Sequence, residues 1–173
     1  MDLLAPLARA LNDQHVRYVV IGVAGANYWA HTAGVVFTTQ DRDIFLPPDG
    51  DNLVAAWSAC ETAGCDLWLL DEPLDRPRDR WLADRIIERR MLTRAMTAAK
   101  LQIDLTLVMK GFDFDQVWRD RRVFVVDGVE IPVARLRHIV ESKHAAGRDK
   151  DKLFLATHRD ALEQLLKKPE AGS

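Results

Sequence analysis

Residues 38–48, TTQDRDIFLPP, place two aspartates immediately ahead of a short apolar run. Asp41 and Asp43 flank an arginine, and Ile-Phe-Leu follows before two prolines interrupt the chain. Because side chains two positions apart point to the same side of a β-strand, a strand over residues 39–46 would set two like charges side by side. Solvent or a bound cation would make that arrangement tolerable. The stretch therefore indicates either a solvated strand end or a metal site.

Helix and strand patterns alternate on both sides of this stretch. Strands are predicted over residues 16–23, 39–46 and 66–70, with hairpins at 91–109 and 123–133, the second turning at Asp127-Gly128. Helices are predicted over residues 3–11, 24–34, 51–63, 81–89, 134–146 and 149–167. The chain has no repeat and no low-complexity tract. We therefore expect a single mixed α/β (α+β) domain over residues 1–173, with its core at about 16–166.

Composition limits the classes of function. The 173 residues can bury a core without disulfides, and a net charge of −2 argues against a chain built throughout for nucleic acid. Cys60 and Cys65 are expected to be reduced thiols. No basic leader or long apolar run is present, so a cytoplasmic protein with no membrane segment is expected.

A third carboxylate stands inside an apolar strand pattern. Asp104 lies in LQIDLTLVM, residues 101–109. An isolated ionised carboxylate in such a strand is costly and needs a partner. Mg²⁺ would offset its charge together with that of the Asp41 and Asp43 pair, as in two-metal phosphoryl-transfer sites. The alternative is a core aspartate that forms a salt bridge with one of the many arginines.

Two further features could serve an anion. The stretch VVIGVAGAN, with Gly22, runs from a strand into a helix and would bring backbone N–H groups to an anion at the helix N-terminus, although taken alone a plain tight strand-to-helix turn explains it better. Lys143 occupies the next position of the apolar stripe formed by Leu136, Ile139 and Val140. A lysine there must either extend past the helix end or meet an anion.

Together these residues resemble the minimal nucleotidyltransferases of the DNA polymerase β-like superfamily, especially the toxin–antitoxin branch related to AbiEii. The matching positions are Gly22, Thr39-x-Asp41-x-Asp43, Asp104, and Lys143 with AAGRDKD at residues 145–151. The resemblance implies a nucleotidyltransferase fold, a mixed β-sheet flanked by helices with a C-terminal helix pair.

The same resemblance implies roles for individual residues. Asp41, Asp43 and Asp104 would bind Mg²⁺ or Mn²⁺ and act as catalytic residues, with Asp104 helping to activate the attacking hydroxyl. Gly22, Thr39, Lys143 and Arg148 would bind the nucleotide. Asp151 would orient the basic groups.

Two positions depart from the family pattern. Val23 replaces the second glycine or serine after Gly22, and Phe37 stands where an arginine commonly precedes the threonine. Both departures lie where a triphosphate would be held, so they put activity in doubt.

We therefore predict a metal-dependent nucleotidyltransferase that moves a nucleoside monophosphate from an NTP to an RNA or protein hydroxyl, with a cognate antitoxin or toxin as an implied partner. One alternative is a catalytically inactive copy of the fold that binds a partner protein. The other is a metal-dependent nuclease that uses the same carboxylates. The serines lack a G-x-S-x-G motif, and the histidines and cysteines lack zinc-ligand spacing.

Overall fold

The computed structural model describes residues 2–168 and contains one eight-stranded mixed sheet with helices packed on it. The first half of the chain forms α1 (Ala5–Asp13), β1 (Val19–Ile21), α2 (Gly22–His31), β2 (Asp43–Phe45), α3 (Gly50–Thr62), β3 (Asp66–Leu69), β4 (Glu72–Pro73) and α4 (Arg80–Glu88). The second half forms β5 (Thr93–Met96), β6 (Gln102–Thr106), α5 (Phe114–Asp120), β7 (Arg122–Val126), β8 (Val129–Val133), α6 (Leu136–Ala146), α7 (Asp149–Thr157) and α8 (Arg159–Leu166).

The strand order in the sheet is β4-β3-β5-β6-β2-β1-β8-β7. The central strand β2 runs parallel to β6 and antiparallel to β1, while β1 runs parallel to β8. This mixed sheet with flanking helices confirms the predicted fold class. Within residues 2–168, no helix is long and apolar enough to span a membrane.

Alternation along β5 and β6 separates a buried face from a partly exposed one. Thr93, Ala95, Ile103 and Leu105 are buried, and the Trp57 indole of α3 donates a 3.2 Å hydrogen bond to the Thr93 hydroxyl on that face. The residues that alternate with them, such as Arg94 and Asp104, therefore project from the other face of the sheet.

Several element boundaries predicted from the sequence were wrong. The strand expected over residues 39–46 is limited to Asp43–Phe45, and the helix expected from residue 51 begins at Gly50, where the Asp49 side chain caps it. The predicted strand at 16–23 is reduced to Val19–Ile21, because its last residues begin α2. The last helix of the predicted C-terminal pair is divided at His158 into α7 and α8. The sequence analysis also missed β4 and α5.

The two predicted hairpins are present. Asp127 and Gly128 adopt φ values of 52° and 74°, which is the left-handed backbone that a two-residue turn between β7 and β8 requires. In the other hairpin, β5 pairs antiparallel with β6. Cys60 and Cys65 are free and buried.

Candidate active site

The sheet register places three charged residues in one row across adjacent strands. Asp43 on β2 pairs with Asp104 on β6, and Asp104 pairs with Arg94 on β5. Neighbouring strands lie about 4.8 Å apart, so these side chains share one face of the sheet at close range. The register therefore brings Asp43 and Asp104 together, as the sequence predicted, and adds Arg94, which it did not.

Arg94 holds the Asp104 carboxylate by both of its oxygens. The guanidinium donates from Nε to Oδ1 at 2.6 Å and from an Nη atom to Oδ2 at 3.3 Å. Within residues 2–168, no group of three or more His, Cys, Asp or Glu side chains is arranged to hold a metal ion. The salt-bridge alternative left open for Asp104 is the one observed.

Asp41 lies in the loop before β2, not in the strand. Its backbone N–H donates a 3.0 Å hydrogen bond to the Thr39 hydroxyl, so Thr39 orders the turn that presents Asp41. The carboxylate of Asp41 is 68% exposed and lies 3.9 Å from the Lys150 ammonium. A turn, and not strand alternation, therefore places Asp41 beside Asp43. The sequence analysis missed Lys150 as a nearby cation.

The Asp43 carboxylate is electrostatically unfavourable in its charged form. Burial raises the pKa of Asp43 to about 6, and the negative charges of Asp104 and Asp41 act in the same direction. Lys150 and Lys143 oppose this increase. An additional cation would therefore stabilise the ionised form of this carboxylate.

Gly22 lies against the Asp43 carboxylate at the start of α2. Its φ of 67° is in the left-handed region, and a Cβ atom added there would lie 2.9 Å from Asp43 Oδ2. A residue with a side chain would therefore strain the backbone and push the carboxylate aside. Gly22 thus supports the position of Asp43 in addition to opening the helix.

Gly22→Ala is expected to weaken divalent-cation binding, whereas Gly34→Ala is not. Gly34 has a similar φ of 71° but nothing within 4 Å of an added Cβ, so both variants should lose about 1 kcal/mol of unfolding free energy through backbone strain. Only the Gly22 variant displaces Asp43. Chemical denaturation and Mn²⁺ titration of both proteins check this, and unchanged Mn²⁺ affinity in Gly22→Ala would contradict it.

A buried carboxylate organises the basic residues at the junction of α6 and α7. Asp151 is 1% exposed and accepts hydrogen bonds from Arg148 Nε at 2.7 Å and from the Arg148 backbone N–H at 3.3 Å. Lys143 Nζ lies 3.5 Å from its other oxygen and 4.8 Å from the Phe154 ring centroid. Lys143 therefore meets an anion, as one of the two sequence alternatives required, and that anion is Asp151.

The charges of this junction reach the carboxylates. Lys143 lowers the pKa of Asp43, and Asp43 and Asp41 both raise the pKa of Arg148, for which the hydrogen bond to Asp151 is the largest cause of the increase. The Arg148 side chain is 60% exposed, so it can contact a ligand while Asp151 anchors it. The junction thus places positive charge near Asp41 and Asp43.

Both departures from the family pattern have structural roles. Phe37 is 1% exposed, with its ring centroid 5.3 Å from that of Phe154 and 4.8 Å from that of His158. Its backbone N–H and C=O both bond to the Asn27 side chain. Val23 is partly buried and packs against the core. Phe37 therefore supplies no charge for a phosphate.

A cavity of about 740 Å³ borders Asp41. Its walls come from α1, from the loop before β2, from the end of α3 and from the turn between β5 and β6, with Leu3, Leu7, Thr39, Thr97 and Gln102 among the lining residues. The volume lies in the range of small-ligand sites, about 300–1,000 Å³. Space for part of a substrate therefore adjoins the candidate site.

The donor chemistry fits a divalent cation at two of the three predicted ligands. Asp41 and Asp43 offer carboxylate oxygens, which Mg²⁺ and Mn²⁺ prefer, and burial and the neighbouring carboxylates raise the pKa of Asp43, so an added cation would favour its ionised form. Asp104 does not fit in the same way, because the Arg94 guanidinium already neutralises it.

The fold is similar to that of an antigenic nucleotidyltransferase-like protein from Paracoccidioides brasiliensis. The two chains share 15% identity, with a TM-score of 0.53 over 97% of this chain and 78% of the other. At this identity the similarity shows the fold alone. No protein-family model and no curated protein sequence matches this chain. The nucleotidyltransferase-like fold is confirmed, whereas the AbiEii-related branch stays a prediction.

Proposed function

We propose that this protein is a metal-dependent nucleotidyltransferase that moves a nucleoside monophosphate from an NTP to a hydroxyl group of RNA or protein. The observation that carries the proposal is the pairing of Asp43 with Asp104 on adjacent strands, with Asp41 two residues earlier and Lys150 3.9 Å from the Asp41 carboxylate. A Mg²⁺ ion held by Asp41 and Asp43 would supply charge neutralisation for the phosphates of the nucleotide.

The residues around that position have separate tasks in this proposal. Arg148 and Lys150, which are 60% and 63% exposed, would contact the phosphate oxygens. Lys143 would add positive charge from its buried position beside Asp151. Gly22 would leave room for Asp43, and Thr39 would hold Asp41. Asp104 would orient the acceptor hydroxyl, and the cavity next to Asp41 would receive part of a substrate.

Transfer from α-³²P-labelled NTPs tests this function. The purified protein is expected to label RNA or an acceptor protein in Mg²⁺ with α-labelled but not with γ-labelled NTP, since pyrophosphate leaves. The label should vanish with EDTA. RNA cleavage without any NTP would identify a nuclease instead. Neither labelling nor cleavage, combined with no NTP binding by calorimetry, would overturn the proposal.

The second candidate is a catalytically inactive copy of the fold that binds a partner protein, for which a cognate toxin or antitoxin is the proposed class. The Arg94–Asp104 pair favours it, because this contact occupies the third carboxylate. The apolar Phe37 in place of an arginine acts in the same direction. Nucleotide binding without transfer to any acceptor would favour this candidate.

A further inference from the structure

The Arg94 guanidinium engages the carboxylate that a second divalent cation would need in a two-metal site. Such sites hold two ions about 3.5–4 Å apart and share carboxylates between them. Here Asp104, the sheet neighbour of Asp43, would be the third carboxylate that completes the ligands of the second ion. The guanidinium engages both Asp104 oxygens.

This contact is set by the backbone and not by a chance side-chain conformation. Arg94 and Asp104 are direct cross-strand partners on β5 and β6, so the hairpin register fixes them opposite each other. Their side chains are 36% and 20% exposed, and a two-point contact between a guanidinium and a carboxylate is the stronger form of such a pair. Replacing the guanidinium by a metal ion would leave Arg94 without this partner.

The charges around the row do not call for a second divalent ion. Arg94 balances Asp104, while Lys150 Nζ lies 3.9 Å from Asp41 and the charge of Lys143 acts on Asp43. The fields of Asp41 and Asp43 also reach Arg94. One divalent cation together with these lysines already offsets Asp41 and Asp43, so a second ion would add to a net positive cluster before any nucleotide binds.

We propose that Arg94 serves as a permanent substitute for the second metal ion, so that the site binds a single divalent cation through Asp41 and Asp43. The inference rests on the proposed metal site and adds a positioning role for Arg94, which acts through Asp104. The site would then contain one exchangeable metal ion and one permanent positive charge, the Arg94 guanidinium.

Counting bound Mn²⁺ tests this assignment without any catalytic assay. Electron paramagnetic resonance measures free Mn²⁺ directly, so the bound number per chain follows from titration of the apo protein. We expect one Mn²⁺ in the wild type and two in Arg94→Gln, because that change releases Asp104. A spin-coupled Mn²⁺ pair should appear in the variant spectrum alone.

A second substitution separates release of Asp104 from a general disturbance. In the Arg94→Gln, Asp104→Asn double variant the bound number should return to one, since the freed ligand is absent. Arg85→Gln is the matched control: Arg85 forms an exposed pair with Glu88 on α4, so its loss should leave one Mn²⁺ bound. Arg94→Met replaces the glutamine variant if circular dichroism shows that the latter is unfolded.

Each outcome decides the question. Two ions in the wild type, or one in a folded Arg94→Gln protein, would overturn the inference while leaving a metal-dependent transferase intact. No Mn²⁺ in a folded wild type would overturn the proposed metal site itself. One ion in the wild type, two in Arg94→Gln and one in the double variant would establish it.

Discussion

Asp43→Asn is expected to abolish nucleotide transfer and at the same time to make the protein more stable without ligands. The substitution removes a proposed metal ligand with almost no change in side-chain size. We expect transfer to fall by roughly 10³-fold or more, which corresponds to about 4 kcal/mol of transition-state stabilisation. The labelled-NTP assay measures this loss.

The gain in stability follows from the raised pKa of Asp43. An aspartate titrates near about 3.9 in an unfolded chain and at about 6 in this site. The folded state therefore binds a proton more tightly, and the stability that the protonated group contributes is lost as pH rises through about 6. The asparagine amide stays neutral at every pH. At pH 8 the free energy of unfolding of the variant should therefore exceed that of the wild type by on the order of 3 kcal/mol.

Chemical denaturation between pH 4 and pH 8 checks this pH dependence. The stability difference should be near zero at pH 4 and reach its full size above pH 7. Asp75→Asn is the control, because Asp75 is an exposed loop residue, and neither transfer nor stability should change. A variant that is less stable than the wild type at pH 8 would show that a favourable interaction holds the ionised Asp43 in the apo protein.

Asp151→Asn is expected to reduce the free energy of unfolding by about 3–5 kcal/mol at pH 7. The substitution leaves Lys143, whose side chain is 12% exposed, without the carboxylate that compensates its buried charge. It also weakens the hydrogen bonds that hold Arg148 at the start of α7. NTP binding should weaken too, because Lys143 and Arg148 lose their common anchor.

The contribution of Asp151 to stability depends on pH in the opposite direction to that of Asp43. Burial acts to raise the pKa of Asp151, but hydrogen bonds from Arg148 and the charge of Lys143 outweigh burial and lower it. The stability that this carboxylate contributes is therefore present above about pH 4 and lost as pH falls through its folded-state pKa. The difference between the wild type and Asp151→Asn should shrink in acid.

Two further variants separate the mechanism from a packing defect. Asp149→Asn changes an exposed aspartate in the same turn and should cost less than about 1 kcal/mol. Adding Lys143→Met to Asp151→Asn removes the unpaired buried charge and should restore part of the lost stability. If the double variant is no more stable than Asp151→Asn, the buried charge is not the cause.

The structure gives Lys143 a role in the fold as well as in the candidate site. Its position on the apolar stripe left open a side chain that only extends past the helix end. Its ammonium instead lies between Asp151 and the face of Phe154. Lys143→Ala would therefore affect stability as well as nucleotide binding, so affinity measurements on it need a folding control.

Local pattern in the sequence determined most of the elements that carry the candidate site. Alternating apolar residues located β5, β6, β7 and β8, and Asp127-Gly128 located the turn between the last two. The run around Asp104 predicted that this carboxylate needs a partner. These conclusions hold because burial on one side of a strand is recorded in residues close together in the chain.

The tertiary structure alone decided which partners these groups found. A hairpin centred on Ala99 pairs Arg94 with Asp104, so the contact was implicit in the sequence, but the choice between Mg²⁺ and an arginine required the register. Phe37 likewise gained its role from α7, far along the chain, and Lys143 gained its partner Asp151 because α7 packs back against α6. Apolar periodicity specifies that a group is buried, whereas the order of strands and the packing of helices specify what it is buried against.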